Sequence, residues 1–285
     1  MLHIIKNLAK LVSFPWRARE AYNEKHIQPE AGMNKDPREL RGFLKDTLRK
    51  QLDFTQTDQN RGVPPPPLEK PAPPDGPLCA LPKPGTWQGI SPVSVEQAIH
   101  NRKSHRRFTQ KPLTLDELSF LLWATQGFRQ RVNEATAFRT VPSAGSRHPF
   151  ETYLGVRHVD SLLEGFYRFL PLEHELVYLF SEVEMAEKMT KASQGQEFVG
   201  KSAVTFYWAA LPYRTEWRYS VASVKVIALD AGHICQNLYL ACEAIGCGTC
   251  AIAAYDQELT DSLLRLDGAE EFVCYLAPVG KVPLS

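Results

Sequence analysis

Residues 230–255, D-A-G-H-I-C-Q-N-L-Y-L-A-C-E-A-I-G-C-G-T-C-A-I-A-A-Y, constrain the fold of this chain more than any other stretch. Asp230 is a good N-cap, and Ile234, Leu238, Cys242 and Ile245 follow at helical spacing. The opposite face carries Cys235, Tyr239 and Leu240, so the helix is apolar nearly all round. A helix of that kind is buried on more than one side, inside a large core or at a subunit interface. It stops at Gly246, Gly248 comes two residues later, and Thr249 to Tyr255 reads as a buried strand with the small residues Ala251, Ala253 and Ala254. Two readings stay open. The stretch is an ordinary core helix and strand, or its backbone is kept bare so that a flat ligand can approach closely.

A chain of 285 residues holds one or two domains with a sizeable core. Hydrophobic content of 44% and charged content of 23% are those of a soluble globular protein. The formal net charge of +1 argues against nucleic acid or an acidic polymer as partner. No apolar run is long enough to span a bilayer, and Lys6 and Lys10 interrupt the N-terminal apolar residues, against a signal peptide. The six cysteines lack the spacing of a disulfide framework, so reduced thiols in a cytoplasmic protein are expected. Cys247-Gly-Thr-Cys250 is a C-x-x-C with no second C-x-x-C and no H-x-x-x-H, so a structural role is expected and no metal site.

The pattern divides the chain into three regions: an N-terminal helical extension (1–61), a Pro-rich strap (62–89) and a main domain (90–285). In the first, Ile4, Ile5, Leu8, Leu11 and Val12 make one face of an amphipathic helix, suited to docking or to a membrane surface. Asp36-Pro-Arg-Glu39 starts a second helix, with Leu40, Phe43, Leu44, Leu48 and Leu52 as its apolar face. Pro64–Pro67 opens the strap, in polyproline conformation across the main domain or as a ligand for a proline-reading domain. In the main domain Ser94-Val-Glu-Gln97 and Thr114-Leu-Asp-Glu117 are capping boxes, each opening a helix. Strands are expected at 150–156, 203–210 and 272–278, a hairpin over 164–180 and a helix over 183–192. Helices and strands mix without strict alternation, which points to an α+β fold, and no G-x-G-x-x-G comes after a strand.

Five motifs occur in order: R-K-S-H-R-R-F (102–108), P-S-A-G-S-R-H-P-F-E (142–151), D-A-G-H-I-C-Q-N-L-Y-L-A (230–241), G-C-G-T-C-A-I-A-A-Y (246–255) and a terminal P-V-G-K (278–281). Together they resemble the FMN-dependent nitroreductase superfamily, and within it the SagB/ThcOx-type dehydrogenases of peptide-modifying gene clusters. The resemblance runs from about Ile90 to the end, with a looser match at Ala21–Lys25. It implies a nitroreductase-like α+β fold, a mixed sheet flanked by helices, in an intertwined homodimer with FMN at the interface. Arg102, Ser104 and Lys281 would hold the phosphate, with Lys103 a further cofactor-binding residue, and Arg106 would face the pyrimidine edge, with Gln196 as a further candidate there. Pro142, Ser143, Ala144 and Ser146 would pack over the ring from the partner subunit. Gly248 would lie against the cofactor, and the backbone of Ala253 and Ala254 would point at N5, where hydride is exchanged.

SagB-type azoline oxidases carry a Lys-Tyr pair before the D-A-G-H helix, whereas this chain has Arg218-Tyr219. Arginine cannot act as a base near neutral pH. The resemblance therefore implies an FMN oxidoreductase in which Tyr219 moves a proton and Arg218 binds negative charge, acting on a small-molecule or peptide substrate. The alternative is a non-catalytic flavoprotein or scaffold that docks a partner enzyme through the N-terminal and Pro-rich regions.

Overall fold

The computed structural model describes residues 36–283, and contacts divide the chain between Lys45 and Asp46 into two compact units. The expected helix at 2–12 and the segment 21–25 lie outside the described residues. In the first unit Asp36 caps α1 (Pro37–Leu40), its carboxylate accepting from the Arg38 amide at 2.9 Å. The helix tightens into a 3-10 turn at Arg41–Leu44 and ends at Lys45, whose backbone is extended. The second unit opens with a separate 3-10 turn, Thr47–Gln51. The single helix expected past residue 37 is thus broken. Gly42 costs about 1 kcal/mol relative to alanine in a helix. The exposed Leu40 and Phe43 bury too little surface to offset that in so short a segment.

The second unit is built on a seven-stranded sheet. Its strands are β1 (Leu78–Ala80), β4 (Phe150–Val156), β5 (Gly165–Leu170), β6 (Glu175–Phe180), β7 (Val204–Ala210), β8 (Cys247–Thr249) and β9 (Phe272–Lys281). They lie in the order β1-β6-β5-β4-β7-β9-β8, antiparallel at every strand pair. Parallel contacts are isolated bridges, such as Ser104 with Thr249. A separate hairpin, β2 (Phe128–Asn133) and β3 (Thr136–Arg139), stands apart. It escaped the pattern because β2 is almost entirely exposed and shows no alternation.

Period-two alternation sorts the central strands between two cores. Phe150, Leu154, Val204, Phe206, Trp208 and Ala277 face one layer with α3 (Leu115–Gln126) and α7 (Ser223–Glu243). Tyr153, Tyr207, Ala209, Val273 and Leu276 face another with α4 (Met185–Ala192) and α8 (Gln257–Leu263). The short helices are α2 (Val95–Asn101), α5 (Glu197–Gly200) and α6 (Tyr213–Tyr219). Ser94 accepts from the Gln97 amide at 3.1 Å without a return bond from the Gln97 side chain, so it is a cap but not the expected box, whereas Thr114 and Glu117 bond reciprocally.

The Pro-rich strap crosses the domain. A proline tract offers carbonyls and few donors, and side-chain donors of the domain meet them. The Trp217 indole donates to Val63 O at 2.8 Å and Arg139 to Leu68 O at 2.9 Å. Arg168 donates to Lys70 O and Pro71 O at 2.9 and 2.7 Å. The strap then becomes β1 and pairs with β6.

Two expectations for the 230–255 stretch change. The long helix starts at Ser223, so Asp230 is not an N-cap but a buried interior residue. Only Cys247–Thr249 is strand, and residues 250–255 are irregular apart from an Ile252–Leu276 bridge. Alanine is a poor strand former, and the Ala251 amide donates to the Tyr239 hydroxyl at 2.8 Å instead of to a ladder. The all-round apolar helix also shows a bare side. Ile227, Ala231, Ile234, Leu238 and Cys242 are buried, while Val224, Ala228, Leu229, Gly232 and Gln236 are exposed.

Candidate functional site

Two groups of predicted residues gather on α7. The first surrounds Tyr239. Where α2 ends, the chain turns extended at Arg102 and passes along β8, with the His105 amide donating to Thr249 O at 2.9 Å. This brings Ser104 Oγ within 2.9 Å of the Tyr239 hydroxyl and places the Arg102 guanidinium 5.4 Å from the ring centre. Gly248 makes the close passage possible, since a Cβ there would lie 2.5 Å from the His105 ring. Outside lies an open pocket of about 390 Å³ lined by Lys103, Ser104, His105, Arg106, Arg107, Val282 and Pro283. Its lining holds cations and a hydroxyl and no carboxylate, a donor set that fits a phosphate.

Lys281 sits deeper. Its ammonium is bonded to the Glu117 carboxylate and, at 2.6 Å, to Ile245 O. An ammonium has three donors, so these two bonds occupy two of them. Gln196 is held to Ala254 O at 2.9 Å and Ser193 O at 3.0 Å, and Ala253 and Ala254 are exposed.

The second group surrounds Asp230. Ser143 Oγ donates to its carboxylate at 2.5 Å, and the Ala144 amide lies 3.3 Å from the other oxygen. Burial pushes the Asp230 carboxyl above the usual range, opposed by these two bonds. Pro142 is exposed beside them, and Ser146 takes a φ of 53°. At Gly145, φ +59°, an added Cβ would lie 2.6 Å from the Tyr219 hydroxyl and 2.9 Å from Arg218 Nε. The loop and the Arg218-Tyr219 pair, far apart in sequence, are therefore in contact. Helix α6 is fixed from beneath: Arg147 Nε donates to Arg214 O at 2.8 Å and its guanidinium lies 4.9 Å from the Trp217 ring centre.

Sequence reasoning missed Asp230 and Tyr239 as site residues. Both read as helix positions. The available signal was a carboxylate and a phenol on a helix otherwise apolar, which need polar partners when buried.

His148 closes the same loop. Its amide donates to Ser143 Oγ at 2.9 Å and its Nε2–H to Ala137 O at 3.1 Å. Burial, reinforced by Arg139, holds its pKa down to about 3, from 6.5. Below pH 6.5 the unfolded chain therefore takes up a proton that the native state refuses. Stability from this group falls by about 1.4 kcal/mol per pH unit as acidity increases, until the native pKa is reached. Urea unfolding of wild type and His148→Gln from pH 7 to 5 checks this. The variant is expected to show a shallower acid slope by about one proton, and equal slopes would place a charged imidazole in the native state.

The cysteines of the C-x-x-C are buried, and burial pushes the Cys247 thiol up to about 12. Among the described residues no three His, Cys, Asp or Glu side chains gather as a metal site, and no helix is long and apolar enough to cross a membrane.

Residues 99–281 match the Nitroreductase family. A protein of Methanocaldococcus jannaschii described as a nitroreductase is 33% identical over 193 residues, 67% of this chain and 93% of that protein. The chain belongs to the nitroreductase family. It is therefore an oxidoreductase, of a family that generally binds FMN. Two solved structures share the nitroreductase fold. A Ralstonia eutropha JMP134 protein described as a nitroreductase superposes with a TM-score of 0.60 at 24% identity, covering 76% of this chain and 95% of that one. A chain of the E. coli microcin synthetase McbBCD complex with truncated pro-MccB17 bound superposes with a TM-score of 0.54 at 18% identity, covering 88% and 95%. Both residue groups on α7 lie inside the nitroreductase match, whereas the strap precedes it.

Proposed function

We propose that this protein is an FMN-dependent oxidoreductase of the SagB type, a homodimer with its flavin at the subunit interface. The observation that carries this reading is the meeting of Tyr219 and Arg218 of α6 with the Gly145 loop, which Asp230 of α7 holds, while Tyr239 of the same α7 holds Ser104 of the basic edge. When bound, FMN would supply hydride exchange at N5. Arg102, Lys103, Ser104 and Arg106 would bind its anionic parts, with Lys281 contributing its third donor. Gln196 would serve the pyrimidine edge, and the chain at Gly248, Ala253 and Ala254 would lie against the ring. Tyr219 would hold the transferable proton, and Arg218 would bind negative charge on a small-molecule or peptide substrate. Azoline oxidation by a lysine-dependent route does not suit a site whose arginine stays charged.

A second copy would complete the site. Asp230, which holds the Ser143–Ala144 loop, lies nine residues before Tyr239, about 13 Å along a helix axis. The loop of one chain is thus displaced from the basic edge of the same chain. The interface would use the bare side of α7 and the neighbouring α2, where Val95 (72%), Ile99 (56%), Val224 (54%) and Leu229 (52%) each expose over half their surface. So many large apolar side chains in the open mark an association face.

Light scattering of the purified protein, combined with chromatography of heat-released cofactor, tests the reading. A yellow dimer releasing FMN is expected, and Leu229→Glu is expected to give monomers that lose the flavin. FAD, or a flavin-loaded monomer, would overturn it.

A further inference from the structure

A second arginine reaches Tyr219 from outside the family domain. The Thr47–Gln51 turn packs on the turn Ser220–Ala222 that ends α6. From it the Arg49 guanidinium lies 5.6 Å from the centre of the Tyr219 ring, and that of Arg218 lies at the same distance. The nitroreductase match begins at residue 99, so it does not include Arg49.

Charge around this tyrosine is unbalanced. Arg49 pairs with Asp46 at 2.9 Å, but the two side chains are 36% and 58% exposed. An ion pair that open is weak and yields to a competing anion. Among the described residues Arg218 forms no salt bridge. The buried carboxylates nearby are already used: Glu151 by Arg168 and Arg214, and Asp230 by Ser143 and Ala144. Arg147 adds a further cation, held down to about 10 by burial and then by the charges of Arg218 and Arg214. Arg49 and Arg218 are thus cations at the Tyr219 ring that an incoming anion can meet.

We propose that Arg49 and Arg218 form a two-armed clamp for a substrate carboxylate at Tyr219, with Arg49 the specificity determinant supplied by the N-terminal segment. Planar guanidinium groups match the two oxygens of a carboxylate. The clamp deepens the function proposed above and rests on its placement of substrate at Tyr219.

Calorimetric titration of the full-length protein with benzoate and with benzamide, its neutral analogue, tests the clamp without turnover. Benzoate is expected to bind tighter by about tenfold or more. Arg49→Gln should abolish most of that preference, Arg49→Lys should keep part of it, and Arg129→Gln, on exposed β2, should leave it intact. Asp46→Asn, which releases Arg49 from its partner, should strengthen benzoate binding. Equal binding of the two probes by wild type overturns the clamp. So does a preference that survives in folded Arg49→Gln, or no gain in Asp46→Asn. A yellow, redox-active protein without the preference sinks the clamp alone. A colourless protein that prefers benzoate sinks the flavin reading alone.

Discussion

Tyr219→Phe is expected to slow oxidation of the dithionite-reduced flavoprotein by 4-nitrobenzoate about 10²–10⁴-fold, the usual range for loss of a positioned proton donor. At about 1.4 kcal/mol per tenfold, that slowing corresponds to a loss of about 3–5 kcal/mol of transition-state stabilisation. The reason is geometric. The phenol oxygen would lie 2.6 Å from a Cβ added at Gly145, so the hydroxyl faces bare backbone in the loop assigned to the flavin. The Arg49 and Arg218 guanidinium groups each lie 5.6 Å from its ring centre. Phenylalanine keeps the ring and removes only the hydroxyl. Stopped-flow absorbance reads the rate, and the flavin spectrum and the oligomeric state proposed above should be those of wild type. Unaltered kinetics with an intact spectrum would show that the proton comes from another group.

Glu151→Ala is expected to destabilise the protein by about 3–5 kcal/mol, the cost of breaking a buried ion pair from one side. Glu151 is buried on β4, with Arg214 of α6 at 2.5 Å, Arg168 of β5 at 3.4 Å and the Lys70 amide of the strap at 3.0 Å. Removing the carboxylate leaves two buried guanidinium groups without a counter-charge. Burial pushes the Glu151 carboxyl up, but Arg214 and Arg168 outweigh it and hold the group below the ordinary value of 4.5. A depressed carboxyl stabilises the fold above its unfolded pKa, and that contribution is lost as pH falls through the folded value. Urea unfolding at pH 7 should show a lower midpoint with an unchanged slope. At pH 3 the gap between variant and wild type should narrow. Because Arg214 belongs to the helix that carries Tyr219, Glu151→Ala should also slow turnover, and Glu151→Gln, which keeps one accepting oxygen for the Arg214 and Lys70 donors, should do both more mildly. Wild-type stability in either variant would mean that the arginines find other partners.

What the sequence by itself determined was local. The Ser94 and Thr114 caps formed because their partners lie three residues on. The 164–180 hairpin and the strands at 150–156 and 204–210 formed because alternation sorts side chains within one strand. The five ordered motifs led to the nitroreductase family for the same reason, since each is a contiguous run. Only the tertiary structure decided the rest. Asp230 looks like an N-cap because an aspartate before an apolar run usually is one, yet its donors, Ser143 and Ala144, come from 87 and 86 residues away. Lys281 meets Glu117 across 164 residues, and the Tyr239 hydroxyl joins Ser104, 135 residues earlier, to the Ala251 amide. Arg49 reaches Tyr219 from a segment whose apolar residues read as a helix face. A helix or strand is written in neighbours a few positions apart, whereas a polar side chain takes its partner from whichever groups the folded chain brings beside it once water is excluded.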